Sequence, residues 1–188
     1  KLVEQGYAVA GLNSRGTGCS QGIFDFADLS FGPDGADAVE FLAKRPWSNG
    51  KVGMNQLSWA GLSQLLTAAE RPPSLRAIAP GMASADSRDA GAPGGVPQML
   101  MRLGWWQFVS TRWTNVEEDA KVRGDQECLL QVAVNRKVAN RQSPTTIAMM
   151  HPLRDEYTDR RNVMLRAANI NIPVLSVTAF QDQVVTSR

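Results

Sequence analysis

Histidine is almost absent from this 188-residue sequence: His151 stands alone. A metal site built on imidazoles is therefore not expected. Cysteine is nearly as scarce. Cys19 and Cys128 lie 109 positions apart, which is neither a zinc spacing nor a disulfide framework. Charge of one sign is lacking too, with 20 Lys and Arg against 18 Asp and Glu and a net charge of +2. No basic run or basic helix face is present, so nothing in the composition points to nucleic acid. Long apolar runs are missing, and none approaches the roughly 18 residues of a membrane span. A start methionine and a signal-peptide pattern are also missing at Lys1. Lys1 to Gln5 reads as the tail of a helix, and the chain stops soon after a strand-like run, so it is expected to be a segment of a longer protein. What remains, at 43% hydrophobic and 20% charged, is the composition of an ordinary globular domain.

The most informative stretch is Pro46-Trp47-Ser48-Asn49-Gly50-Lys51-Val52-Gly53-Met54-Asn55-Gln56-Leu57-Ser58-Trp59-Ala60-Gly61. Ser48-Asn49-Gly50 is turn chemistry, because Asn and Gly both tolerate positive φ. Val52 to Leu57 is short, largely apolar and bounded by turn signals, which fits a buried strand. Leu62, Leu65, Leu66 and Ala69 then repeat at helical spacing. Ser58 sits at the strand-to-helix junction. Two roles fit that position. One is a helix N-cap, the serine oxygen accepting from an N–H of the first turn. The other is a nucleophile elbow, whose tight turn lifts the hydroxyl clear of the sheet.

The remaining chain supplies a frame. Tyr7 to Leu12 reads as a buried strand running into Asn13-Ser14-Arg15-Gly16-Thr17-Gly18-Cys19-Ser20-Gln21-Gly22. That loop is not a dinucleotide fingerprint, since Gln21 replaces the last glycine and no helix follows directly. Nor is Gly50-Lys51-Val52 a phosphate loop, which needs Ser or Thr after the lysine. No cofactor is expected. The loop reads as a tight turn with Arg15 as an anchoring cation. Pro33 to Lys44 has Pro and Asp34 early and Ala36, Val39 and Leu42 in helical register. Pro72-Pro73 stops the helix after Ser58, and Leu75 to Ala79 is a strand. Strand, helix, strand, helix, strand predicts an α/β fold with a doubly wound parallel sheet. In such sheets ligands bind beyond the carboxyl ends of the strands. Residues 98–165 read as a helical insertion with three of the five tryptophans (Trp105, Trp106, Trp113). They fit either a cap over a site or ordinary core. Ile172 to Thr178 is the last strand and leads to Asp182. The expected division is thus a core over 1–97, a helical cap over 98–165 and a return to the core over 166–188.

These motifs together resemble the α/β-hydrolases of the Xaa-Pro dipeptidyl-peptidase type, the S15 peptidase and CocE/NonD esterase and acylase group. Asn13 to Gly22 resembles the family's Asp-x-Arg-Gly-x-Gly-x-Ser-x-Gly loop. Asp34-Gly35-Ala36-Asp37-Ala38-Val39-Glu40-Phe41-Leu42 is similar to its Asp-Gly-x-Asp helix. Pro46 to Met54 matches its Pro-Trp-Ser-Asn-Gly-Lys-Val-Gly-Met run, and Ser58-Trp59-Ala60-Gly61 stands where it has Ser-Tyr-x-Gly. Pro72 to Pro80, His151-Pro152 with Asp155 and Tyr157, and Phe180-Gln181-Asp182 continue the match in order. The resemblance implies a serine hydrolase cleaving an ester or amide through an acyl-enzyme. It implies Ser58 as nucleophile, Asp182 as the acid orienting a histidine, and the Trp59 N–H as one oxyanion donor. Triad order in this fold is Ser, acid, His. His151 precedes Asp182, so it is assigned to the His-Pro motif. The base is expected after Arg188, and the 188 residues alone are not expected to turn over esters.

Two departures keep a second reading open. Gln56 stands where the elbow has glycine, and a long side chain in a crowded turn is expected to cost about 1–3 kcal/mol or tilt the elbow. Asn13 replaces the loop aspartate. A hydrolase-like domain that no longer catalyses and serves as a binding or structural module would carry both. For the enzyme, the partner is a small-molecule or peptide ester or amide, with no nucleic acid, no membrane and no metal, and homo-oligomerisation left open. Trp105, Trp106 and Met101 suit an apolar substrate pocket. The acyl group and the choice among peptidase, esterase and acylase are not readable. Few cysteines lean toward a cytoplasmic location.

Overall fold

The computed structural model describes residues 1–25, 27–86, 92, 96, 104–105, 107, 113–139 and 149–179, with backbone alone at 113–115 and 138–139. Contacts group the chain into two compact units, Lys1–Phe26 with Leu103–Ser143, and Ala27–Arg102 with Pro144–Arg188.

The first unit begins with a single 3-10 turn, Val3–Gln5, closed by Gly6 in the left-handed region. Residues 7–12 correct the expected strand. They belong to no ladder among the described residues, and Tyr7, Val9 and Leu12 are exposed. An apolar run becomes a buried strand only where a neighbour takes up its backbone groups. Residues 13–22 form the expected tight loop. Thr17 N–H and Oγ1 both donate to the Ser14 carbonyl, at 3.1 and 2.7 Å, and Gly16 N–H donates to Gln21. Gly16 has φ +68, and a Cβ there would lie 2.1 Å from the Phe24 backbone nitrogen. No side chain fits that crossing.

Two helices complete this unit, α3 (Trp113–Arg123) and α4 (Gln126–Ala139). They pack through Ala120, Cys128 and Val132, with Val116 and Leu129 against them. The scarce cysteines need a second correction, because Cys19 is disulfide-bonded to Cys128. Sequence separation carries no information on spatial distance. The fold brings the two Cα atoms to 4.7 Å, in the usual range for a disulfide. Asn135, on the same helix, reinforces the tie. It is 1% exposed, and its Nδ2 donates to the Gly18 and Ser20 carbonyls at 2.9 Å each.

The second unit holds the sheet. Helix α1 (Phe31–Ala43) carries Pro33 and Asp34 in its first turn and buries Val39. Strand β1 (Val52–Leu57) follows a turn in which the Ser48 and Asn49 side chains accept from Gly50 and Lys51 N–H. Helix α2 (Trp59–Ala69) returns over the sheet, and β2 (Leu75–Gly81) pairs parallel with β1, with Met54 opposite Ile78. On β2's other side, residues 173–177 run parallel. Ile78 N–H donates to Pro173, and Leu175 and Val177 N–H donate to Ile78 and Pro80. The core is Val39, Ala68, Leu75 and Ile78, with Val52, Met54, Leu65, Ile170 and Ile172 packed on it. Burying each large aliphatic side chain here stabilises by about 1.5–3 kcal/mol. The Glu40 carboxylate accepts from Ser74 N–H and Oγ at 2.9 and 3.0 Å, fastening α1 to the start of β2. This is a parallel sheet flanked by helices, the expected α/β architecture. Among the described residues, no helix is long and apolar enough to cross a membrane.

Candidate active site

Because all three extended segments run the same way, their carboxyl ends share one edge. Ser58 ends β1 there, Gly81 and Met82 end β2, and Val177 lies beside them. Ser58 has φ +56 and ψ −123. A non-glycine residue with positive φ is strained, at a cost of about 1–3 kcal/mol, and persists only where its surroundings hold it. The holding bonds are visible. Ser58 N–H donates to the Gly81 carbonyl at 2.8 Å. The Ser58 carbonyl accepts from Gly61 and Leu62 N–H at 2.9 and 3.0 Å. The Ser58 side chain makes no cap bond to α2, and the residue is exposed. The hydroxyl is therefore not spent on capping α2.

Gly61 makes this turn possible by close approach. A Cβ there would lie 2.9 Å from the Ala83 Cβ and 3.0 Å from the Gly81 carbonyl oxygen. The crowding expected at Gln56 is not met. Its side chain is exposed and its Oε1 accepts from the Leu57 N–H at 2.9 Å. The side chain lies on the surface, folded back onto its neighbour's backbone, so its length is not packed inside the turn. Trp59 packs edge-on against Phe31, with ring centroids 5.3 Å apart. Met82 has φ +45 and donates its N–H to Val177 at 2.7 Å, a second strained residue on the same edge.

The other sequence candidates divide. Asp182, Met101 and Trp106 lie outside the described residues. Trp105 is half-buried in the first unit. His151 is occupied elsewhere. Its Nδ1 is 2.6 Å from Asp155 Oδ2, and its ring stacks on Tyr157 at 4.0 Å. The Arg161 guanidinium also lies over the Tyr157 ring, at 3.4 Å. Asp155 in turn caps α5 (Glu156–Arg160) in a capping box with Thr158. The bond to His151, and then the Thr158 N–H, hold the Asp155 carboxyl below the usual aspartate range. This is the chemistry of a folded joint. Among the described residues, no group of three or more His, Cys, Asp or Glu side chains could hold a metal ion.

One residue of the elbow was not singled out by the sequence reading. Gln64 is 1% exposed and bridges β1, α2 and β2 through its amide. Its only sequence signal is a polar residue between Leu62 and Leu65–Leu66, on a helix whose burial the pattern leaves unstated.

The chain has clear relatives. It is 28% identical over 200 residues to cocaine esterase of Rhodococcus sp. (strain MB1 Bresler), covering 97% of this chain and 35% of that protein. The structure resembles a CocE/NonD family hydrolase from Staphylococcus aureus with a TM-score of 0.63 and 25% identity, over 85% of this chain and 24% of that one. An aminopeptidase from the marine sediment archaeon Thaumarchaeota archaeon shares the fold at a TM-score of 0.57 and 17% identity, over 91% of this chain and 31% of that one. The chain thus spans about a third of the length of the esterase it matches. The family model of X-Pro dipeptidyl-peptidase (S15 family) matches residues 1–188, and with that match added to the ordered motifs and the parallel α/β architecture, the chain belongs to this S15 family of CocE-type hydrolases.

Proposed function

We propose that the protein containing this chain is a serine hydrolase that cleaves an ester or amide. Ser58 Oγ attacks the substrate carbonyl as its proton passes to a histidine, forming a tetrahedral oxyanion. The Trp59 N–H, at the start of α2, donates to that oxyanion. Collapse expels the alcohol or amine, which takes the proton from the imidazolium, and leaves an acyl-Ser58. Water, deprotonated by the same histidine, then releases the acid and restores the serine. Asp182 orients the imidazole. The base comes from beyond Arg188, since His151 is engaged with Asp155 and Tyr157.

The observation that supports this reading best is Ser58 itself. A helix-capping serine would have extended backbone and a side-chain bond to the helix. Ser58 has φ +56 and makes no such bond. The test is labelling of the full-length protein with a fluorophosphonate probe. Labelling that maps to Ser58 and vanishes in Ser58→Ala, with kcat on an aryl ester falling by roughly 10⁶ as in a serine protease, is the expected outcome. A folded full-length protein that resists the probe would make the domain a binding module.

A further inference from the structure

We infer that Gln64 is a positioning residue for the nucleophile, an inference that rests on the reading of Ser58 as that nucleophile. Its side-chain amide ties together the three backbone pieces that meet at the elbow. Nε2 donates to the Gln56 carbonyl at 3.0 Å and to the Ala60 carbonyl at 3.1 Å, two residues before and two residues after Ser58. Oε1 accepts from the Ala79 N–H at 3.1 Å, two residues before Gly81, whose carbonyl holds the Ser58 N–H. Donors and acceptor of the amide are all used, in a residue 1% exposed.

The chemistry favours this role over simple packing. An apolar side chain of the same length would fill the space between α2 and the sheet without the desolvation cost of an amide. What it could not do is bond β1, the first turn of α2 and β2 at once. Ser58 is held at φ +56, a conformation that relaxes unless its neighbours are fixed on both sides. Gln64 fixes both sides. It does not touch the reacting atoms, so its loss acts through the placement of Ser58 Oγ. A misplacement of about 1 Å costs about 10²-fold in rate.

The experiment uses the full-length protein with Gln64→Met, which keeps length and loses all three bonds, and Gln64→Glu. Thr67→Val is the control. Thr67 is buried one turn further on α2, and its Oγ1 has no hydrogen-bond partner among the described residues. Readouts are kcat and KM on an aryl ester and the second-order rate of fluorophosphonate labelling. Gln64→Met is expected to lose roughly 10–100-fold in kcat and in labelling rate, with KM within about twofold, while Thr67→Val keeps both. In Gln64→Glu the neutral acid restores one donor and the acceptor, whereas the carboxylate faces two carbonyls. Its labelling rate relative to wild type therefore rises as pH falls. Should Gln64→Met not fold, that pH-dependent ratio decides. A folded Gln64→Met with wild-type kcat, a loss confined to KM, an equal loss in Thr67→Val, or a pH-independent Gln64→Glu ratio would each overturn the inference. Wild-type protein that never labels at Ser58 overturns the underlying reading instead.

Discussion

Gly61→Ala should damage activity far more than stability. The added Cβ lies 2.9 Å from the Ala83 Cβ and 3.0 Å from the Gly81 carbonyl oxygen, against about 3.5–4.0 Å for comfortable carbon contacts. Neither obstacle is a flexible side-chain end, so α2 must back away by about 0.5–1 Å. Overpacking of this kind costs about 1–3 kcal/mol. Alanine returns about 1 kcal/mol in helix propensity, leaving a net loss of about 0–2 kcal/mol. In a domain of this size that lowers Tm by about 8 °C at most. The elbow has no such offset. Gly61 N–H bonds the Ser58 carbonyl, and Ser58 N–H bonds the Gly81 carbonyl, one of the obstructing atoms. Displacement therefore passes directly to Ser58, and roughly 10–100-fold in kcat is the expected loss. Thermal melts and ester kinetics on the full-length protein measure both quantities. Ala83→Gly removes one obstruction and leaves the carbonyl, so the double variant should recover part of the rate. Unchanged kcat in Gly61→Ala, or a coupling energy below about 0.5 kcal/mol between the two sites, would refute the packing argument.

Reduction of Cys19–Cys128 should lower Tm. The bond closes a loop of 109 residues, for which chain entropy alone gives about 4–5 kcal/mol. Thiol labelling followed by peptide mapping should find neither Cys19 nor Cys128 free before reductant, and a free thiol at either position in the folded oxidised protein would sink the assignment. Asp155→Ala should lower Tm at neutral pH, since it removes both the α5 cap and the partner of His151. The Asp155 carboxyl titrates below the usual aspartate range when folded, so its contribution is present above that range and fades as pH falls through the lowered value. The Tm difference between variant and wild type should therefore shrink toward acid pH. A difference constant from neutral to about pH 3 would contradict the assigned bond.

Local signals carried well wherever the chain's own pattern settles its conformation. Pro33 and Asp34 mark α1, Ser48-Asn49-Gly50 marks the turn before β1, and Pro72-Pro73 ends α2. Each works within a few residues, through φ restriction or a side-chain bond to nearby backbone. Two readings failed for a shared reason. Residues 7–12 have a strand's composition, but pairing depends on a neighbour. Cys19 and Cys128 have an uninformative spacing, but bonding depends on proximity. Gln56 gave a false warning because the direction of its side chain was not readable.

By itself, the sequence determined the run α1, β1, α2, β2, the place of Ser58 between β1 and α2, and membership of a hydrolase family, because periodicity, turn chemistry and motif order are properties of the chain alone. Only the tertiary structure decided that Ser58 has φ +56 without capping its helix, that Gly61 must lack a side chain, that Gln64 joins three backbone segments, and that His151 is spent on Asp155 and Tyr157. The Gly61 and Gln64 relations join segments far apart along the chain, the Ser58 and His151 ones depend on side-chain directions that no pattern states, and hydrogen bonds and steric contacts reach only a few ångströms. Whether two groups interact is settled by where the fold puts them.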